Sequence, residues 1–190
     1  AWGLRQSNLV PGSSRRTTIW TAKACARLSR RIPTRIVCCS EATRAVHTEI
    51  GYDATKLVVI DNGYDTHALL PDPVARASAR AELGISEETP LVGLVARLDP
   101  QKKHAGFFEA ARKLGTRLPE AHFVLCGEGM EIARPTVARW VDTAGLGTRC
   151  HLLGRREDIG RWNAALDVAT CCSIYGEGFP NVVAEAMACG

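Results

Sequence analysis

The stretch Leu91-Val92-Gly93-Leu94-Val95-Ala96-Arg97-Leu98-Asp99-Pro100-Gln101-Lys102-Lys103-His104 reads as a strand that runs into a charged turn and then opens a helix. The strand is expected over Leu91 to Leu98 and the helix from about His104 to Leu118. The pattern repeats downstream. His122 to Cys126 reads as a strand, followed by a helix from about Glu131 to Ala144. Cys150 to Leu153 is a short strand before a helix from about Asp158 to Leu166. Val168 to Ile174 is a strand, and a last helix starts near Asn181. Strands alternating with helices at this spacing imply right-handed βαβ crossovers and a parallel sheet, so the fold class is α/β.

Upstream the signals are sparser. A helix is expected from about Thr17 to Arg31, stopped by Pro33. Thr34 to Ser40 reads as a short buried strand, and Ser40 suits the N-cap of a helix running to about Ile50. Lys56 to Ile60 is a further strand, ended by the turn residues Asp61-Asn62-Gly63. Pro71, Asp72 and Pro73 then read as a loosely structured connection. A boundary therefore falls near residues 61–73. Residues 1–62 are expected to be the end of one Rossmann-like domain, and residues 63–190 a second one. A start at Ala1 within folded sequence and a stop at Gly190 inside or beside a helix read as a piece of a longer chain.

Composition narrows the class. Hydrophobic residues at 46% and charged residues at 23% are those of an ordinary globular protein, which argues against disorder or a fibrous repeat. No apolar run approaches the roughly 20 residues of a membrane-spanning helix. The eight cysteines include the adjacent pairs Cys38-Cys39 and Cys171-Cys172, with no Cys-x-x-Cys, so neither a disulfide framework nor a zinc site is expected. Reduced, buried thiols in a cytoplasmic protein fit better. The five histidines, His47, His67, His104, His122 and His151, have no metal-ligand spacing, and none is assigned a role.

The net charge of +4 is unevenly spread. Up to His47 the basic residues are Arg5, Arg15, Arg16, Lys23, Arg27, Arg30, Arg31, Arg35 and Arg44, against the single acid Glu41. The segment 1–47 could contact phosphate groups or an anionic membrane surface, and a solvated helix face is the plain alternative. Nucleic acid is not expected as a partner.

Ligands of such sheets bind at the carboxyl ends of the strands, which directs attention to residues 97–104, 154–158 and 175–181. In the first loop, Arg97 offers a forked pair of donors and Lys102 or Lys103 a mobile cation, a combination suited to a diphosphate. No Gly-x-x-x-x-Gly-Lys-Ser/Thr occurs. The third loop, Gly176-Glu177-Gly178-Phe179-Pro180-Asn181, follows a strand and opens a helix. Its glycines permit close backbone approach, and unpaired helix-start amides attract phosphate. Glu177 precedes the helix and Glu185 lies about one turn inside it. Carboxylates beside a phosphate site suit hydroxyl donors such as those of sugar and ribose. A turn acid and an ordinary helix residue are the alternatives. Gly176-x-Gly178 meets Asn181 at the third glycine position and Gly127-x-Gly129 meets Ile132, so a dinucleotide fingerprint is incomplete in both.

These segments together resemble the family 4 glycosyltransferases, retaining enzymes of the GT-B fold with two facing Rossmann-like domains. Asp61-Asn62-Gly63-Tyr64-Asp65 is similar to the turn that opens the family's donor domain. Val95 to Lys102 is similar to its Gly-Arg-Leu-x-x-x-Lys phosphate loop, with Ala96 in place of the glycine and Lys103-His104 where Lys-Gly is common. Val124-Leu125-Cys126-Gly127-Glu128-Gly129 and Leu152-Leu153-Gly154 match two further landmarks, and Glu177 to Glu185 matches the paired-glutamate segment, with seven residues between the acids.

The resemblance implies transfer of a sugar from a nucleotide diphosphate to a saccharide or lipid-linked acceptor, with retention and without metal or cofactor. It implies that Arg97 and Lys102, the latter favoured over Lys103, neutralise the donor diphosphate. Backbone around Arg155 would face the nucleobase. Glu177 would hold a donor-sugar hydroxyl, Glu185 the ribose hydroxyls, and the amides of Gly178, Phe179 and Pro180 would help cradle phosphate. Polysaccharide biosynthesis in the cytoplasm, peripheral to the membrane, is the implied setting. A GT-B-like nucleotide-sugar epimerase is the nearest alternative, and these 190 residues alone are expected to bind nucleotide at best.

Overall fold

A computed structural model describes residues 2–4 and 16–190, and in it every paired strand runs parallel to its neighbour. Arg5 and Arg15 of the basic segment lie outside the described residues. The chain divides into two units, Ala1–Gly63 with Ser173–Pro180, and Tyr64–Cys172 with Asn181–Gly190. Residues 173–180, expected in the second domain, thus group with the first.

The first unit contains β1 (Trp2–Leu4), α1 (Arg16–Ser29), β2 (Ile36–Cys38), α2 (Glu41–Ile50) and β3 (Leu57–Val59), with sheet order β1-β2-β3. Ser40 caps α2 by accepting the Thr43 amide at 3.1 Å, and Gly51 at φ 103° ends the helix in the left-handed region. Ile36 and Cys38 alternate inward and pack with Ala26, Tyr52 and Leu57. Full burial of a side chain such as Ile36 stabilises by roughly 1.5–3 kcal/mol.

The second unit contains α3 (Pro73–Glu82), β4 (Leu91–Val95), α4 (His104–Arg117), β5 (His122–Cys126), α5 (Pro135–Ala144), β6 (Cys150–Gly154), α6 (Ile159–Ala165), β7 (Val168–Thr170) and α7 (Asn181–Ala188). Its sheet order is β6-β5-β4-β7, so the winding reverses between β4 and β7. Both faces of the sheet are covered. Phe123 and Leu125 pack with Phe107, Phe108 and Val137 on one side, while Val124 and Cys126 pack with Leu91, Trp162 and Ala165 on the other. Burial on both faces is why these strands read as continuous apolar runs.

Helix α3 stands where a loose connection was expected. Asp72 caps it by accepting the amides of Val74 and Ala75 at 3.0 and 2.9 Å, with Pro73 in its first turn. Arg80, only 1% exposed, donates to the carbonyls of Ala165 at 2.7 Å, Ser86 at 3.0 Å and Thr89. Arg76 donates to the Ala165 carbonyl at 3.0 Å and to Asp167 at 2.7 Å. Asp167 in turn accepts the Leu91 amide at 2.7 Å. These bonds tie α3, the end of α6 and the starts of β4 and β7 together.

Other boundaries differ from expectation in detail. Strand β7 stops at Thr170 although the apolar run continues, and α5 begins at Pro135, where the ring suits a first helical position. None of the eight cysteines forms a disulfide; Cys126 is buried as expected, whereas Cys171 is exposed. Among the described residues no helix is long and apolar enough to cross a membrane, and no group of three or more His, Cys, Asp or Glu could hold a metal.

Candidate functional site

In the second unit the strand ladder continues past β4, β5 and β6 into the loops beyond. The Ala96 amide donates to Cys126 O at 2.8 Å, Leu98 to Glu128 O at 2.7 Å and Gly127 to Gly154 O at 2.7 Å. The loops come so close that a Cβ on Gly127, at φ 154°, would lie 2.0 Å from Ala96 O. A Cβ on Gly129 would lie 2.7 Å from Leu98 Cβ. The Gly-x-Gly pair therefore serves the approach of one loop to the next, consistent with its incomplete dinucleotide pattern. Ala96, in the family's glycine position, is not among the residues with positive φ.

Asp99 organises the turn that follows. Its carboxylate accepts the Gln101 amide at 2.9 Å and an Arg97 guanidinium nitrogen at 3.2 Å. The Gln101 amide, then Arg97 and Lys102, hold the Asp99 carboxyl below its ordinary range against the opposing effect of burial. Arg97 and Lys102 are thus gathered around one acid, with the Arg97 side chain 60% exposed. Lys103 takes φ 44°, the only non-glycine residue with positive φ among those described, and starts α4 without a side-chain cap. Its stem lies over Gly106, where an added Cβ would be 3.2 Å from Lys103 Cγ.

His104, the first residue of α4, is 2% exposed and stacks on Trp140 with ring centroids 6.3 Å apart. Burial pushes its pKa below the usual value, so the imidazole is neutral near pH 7. Its Nε2 lies 3.4 Å from Ala96 O, which places the ring against the end of β4.

At the end of β6, Gly154 turns the chain at φ 62° and Arg155 is exposed. Arg156 is instead committed to Asp158 through two bonds of 2.8 Å, and lies 5.3 Å from the Trp162 ring centre. Those bonds hold the Asp158 carboxyl far below its ordinary range. Glu131 is a residue that sequence reasoning passed over. It accepts the Gly129 amide at 3.1 Å, and its Oε1 would lie 3.4 Å from a Cβ on Gly154. An acid two residues beyond a Gly-x-Gly turn was the available signal.

Glu185 is half-buried on α7, whose first residue, Asn181, accepts the Tyr64 hydroxyl at 3.0 Å. The remaining predicted residues, Glu177, Gly178, Phe179 and Pro180, belong to the first unit. There Ser173 Oγ donates to Glu177 Oε1 at 2.8 Å. Residues 173–177 line a cavity with Ala42 and Val46 of α2, and Gly176 bends the loop at φ 81°. The structure thus gathers Arg97 and Lys102 around Asp99 in one unit, and gives Glu177 its hydroxyl partner in the other.

The sheet is parallel and its order reverses between β4 and β7, which makes this an open α/β protein whose candidate site lies at the carboxyl ends of those strands, where Arg97 and Lys102 stand on the loop leaving β4. Residues 75–190 match the family described as glycosyl transferases group 1, and the chain belongs to that family. It is 30% identical over 160 residues to the UDP-Gal:alpha-D-GlcNAc-diphosphoundecaprenol alpha-1,3-galactosyltransferase of Escherichia coli, covering 83% of this chain and 41% of that protein. It is 31% identical over 143 residues to the D-inositol 3-phosphate glycosyltransferase of Mycolicibacterium smegmatis, covering 73% and 31% respectively. The crystal structure of Anabaena HepE in complex with UDP and glucose superposes with a TM-score of 0.82 at 26% identity, covering 99% of this chain and 50% of that one. The fold is accordingly of the GT-B glycosyltransferase type, and the chain spans half or less of the length of these relatives.

Proposed function

We propose that the protein to which this chain belongs is a retaining, family 4 glycosyltransferase that moves a sugar from a nucleotide diphosphate to a saccharide or lipid-linked acceptor. The observation that carries this reading is the cationic turn at the end of β4, beside the reversal of strand order. Arg97 and Lys102 neutralise the diphosphate as the sugar C1–O bond breaks. Charge grows on the leaving group in that step, so fixed cations act most strongly there. Glu177 holds a donor-sugar hydroxyl, Glu185 the ribose hydroxyls, and the backbone beside Arg155 faces the base. The amides of Gly178 to Pro180 cradle phosphate. The acceptor hydroxyl attacks C1 on the face that the nucleotide leaves and passes its proton to the departing diphosphate oxygen, and neither metal nor cofactor takes part. The two named relatives and HepE's UDP complex support this reading over an epimerase, which would release isomerised donor without an acceptor.

The test is a nucleotide-sugar screen on the full-length protein with mass analysis of products, followed by Arg97→Ala and Glu177→Gln. Each substitution is expected to reduce turnover by about 10²–10³-fold. Wild-type turnover in both would overturn the proposal, and the 190 residues alone are expected to bind nucleotide without turnover.

We further propose a cytoplasmic enzyme of polysaccharide biosynthesis that contacts an anionic membrane through the basic segment. Support comes from α1, where Arg16, Lys23 and Arg27 line a groove with Trp20, itself 78% exposed. A cationic helix face with an exposed indole suits a lipid headgroup layer. Flotation of the full-length protein with phosphatidylglycerol vesicles, lost with Trp20→Ala/Lys23→Glu and absent with phosphatidylcholine, is expected. Equal recovery with both vesicle types would refute it.

A further inference from the structure

We infer that Arg156 and Asp158 are positioning residues that set the main chain beside Arg155 for its contact with the nucleobase, and so decide which base the protein accepts. The inference rests on the base-facing role proposed for that stretch. Two adjacent arginines leave β6 and are used in opposite ways. Arg155 is exposed, whereas Arg156 folds back on its own loop and donates to Asp158 through two bonds of 2.8 Å, from Nε and from Nη2. A forked pair of this kind fixes direction as well as distance. The Arg156 guanidinium also lies 5.3 Å from the centre of the Trp162 ring, which is 1% exposed, so the clamp rests against the core. Asp158 is anchored in its turn. It precedes α6, where its carbonyl accepts the Trp162 amide at 3.3 Å. Arg161 of that helix reaches back to Asp158 Oδ2 at 3.3 Å and across to Glu82 of α3 at 2.8 Å. At the other end of the loop the Gly154 carbonyl accepts the Gly127 amide at 2.7 Å. Residues 155–157 therefore span two fixed points, and the Arg156 clamp holds the middle.

Main chain reads a base through amide and carbonyl groups that are the same at every residue. Selectivity among bases then depends on where those groups point, not on which side chain bears them. A site built to bond one base edge rejects another because its own polar groups are left unpaired. That rejection requires a loop that cannot shift to suit the wrong base, and a displacement of about one ångström is enough to lose it. Arg156 and Asp158 remove this freedom without touching the base themselves. The bonds from Arg156, and further the bond from Arg161, hold the Asp158 carboxyl far below its ordinary range, so the clamp stays ionised and closed at neutral pH. Lysine at 156 keeps the charge but has no fork, and asparagine at 158 keeps the shape without the charge.

The test measures binding of UDP, GDP, ADP, CDP and inorganic diphosphate to the full-length protein by calorimetry, with the weaker ligands read by displacement of the tightest. Wild type is expected to prefer one base. Arg156→Ala is expected to bind the preferred nucleoside diphosphate about tenfold less tightly, the size of one hydrogen bond. Inorganic diphosphate and the disfavoured nucleotides are expected to change by less than about twofold, so that discrimination between bases narrows. Arg156→Lys is expected to lose nearly as much, and Asp158→Asn to shift in the same direction. These two carry the test if Arg156→Ala does not fold. If wild type binds all four nucleotides alike, the base-facing role of the loop fails and the inference falls with it. If wild type discriminates and the variants discriminate equally well, the base-facing role stands and the positioning role is overturned. Weaker binding of every ligand alike, inorganic diphosphate included, would also overturn it, by marking a general structural role.

Discussion

Two loops leave neighbouring strands of one sheet and are built on different physics. Residues 96–103 follow β4 and are held by main chain: the Ala96 amide donates to Cys126 at the end of β5 and the Leu98 amide to Glu128 just beyond it, and Asp99 closes the turn from within. Residues 171–180 follow β7, which pairs with β4, and the part from Ser173 onward groups with the first unit. There Gly176 bends the chain and the Ser173 hydroxyl donates to Glu177. Arg97 and Lys102 therefore stand on a backbone framework, whereas Glu177 is met by a side-chain contact. A backbone framework tolerates sequence change in its side chains but not in the glycines that let it close. The second loop should show the opposite sensitivity.

The largest expected effect tests the first half of that statement. Gly127→Ala places a Cβ 2.0 Å from Ala96 O and 2.8 Å from Arg97 N, both backbone atoms, at φ 154°. Neither neighbour is the end of a flexible side chain, so the strain can be relieved only by parting the loops. A loss of about 4 kcal/mol or failure to fold is expected, measured by chemical denaturation. A loss under about 1 kcal/mol would show that the loops separate readily, and would remove the contrast between them.

How legible each loop was in the sequence follows from the same difference. The first was readable because its elements are local: strand β5 falls at the expected His122–Cys126, and α4 starts at the expected His104. The Ser40 cap of α2 was likewise a local signal. Helix α3 was missed because Pro71 and Pro73 were weighed as breakers, although Asp72 followed by Pro73 is also a helix start. Strand β1 has three residues and little pattern to read. Long-range pairs left no trace in spacing. His122 Nδ1 and His151 Nε2 meet at 2.9 Å only because β5 and β6 pair in register, and Arg80 reaches Ala165 across 85 positions. The candidate site shows the same split. Arg97, Lys102 and Glu177 were visible as motif residues, whereas Glu131 and Ser173 emerged only as partners in space.

The strands leading into both loops share an anchor at their amino-terminal ends, and it rests on the Asp167 carboxylate. Burial tends to raise the Asp167 pKa, but the bonds from Arg76 and the Leu91 amide and the charge of Arg80 outweigh it and hold the carboxyl below its ordinary 3.8. A depressed folded-state pKa contributes stability that is complete above the unfolded value and is lost as pH falls through the folded one. Asp167→Asn should therefore cost about 2 kcal/mol at pH 7, with the difference from wild type shrinking below pH 3.8. Denaturation midpoints measured from pH 7 to pH 3 check this. A difference that stays constant over the range would assign the effect to packing, and the anchor would no longer explain why β4 and β7 deliver their loops from a fixed base.

The smallest expected effect lies in the second loop. Gly176 sits at φ 81°, where an L-residue pays about 1–2 kcal/mol. Gly176→Ala should lower stability by about 1 kcal/mol, since a loop set by side-chain contacts can rotate its bend to a neighbouring conformation. The same rotation would move Glu177, to which a donor-sugar contact is proposed, so turnover should fall further than stability does. Paired measurements of the denaturation midpoint and of kcat on the full-length protein separate these effects. A stability loss as large as that of Gly127→Ala would mean the second loop is fixed as tightly by its backbone as the first. Unchanged kcat with a lowered midpoint would mean that the bend at Gly176 and the position of Glu177 are independent.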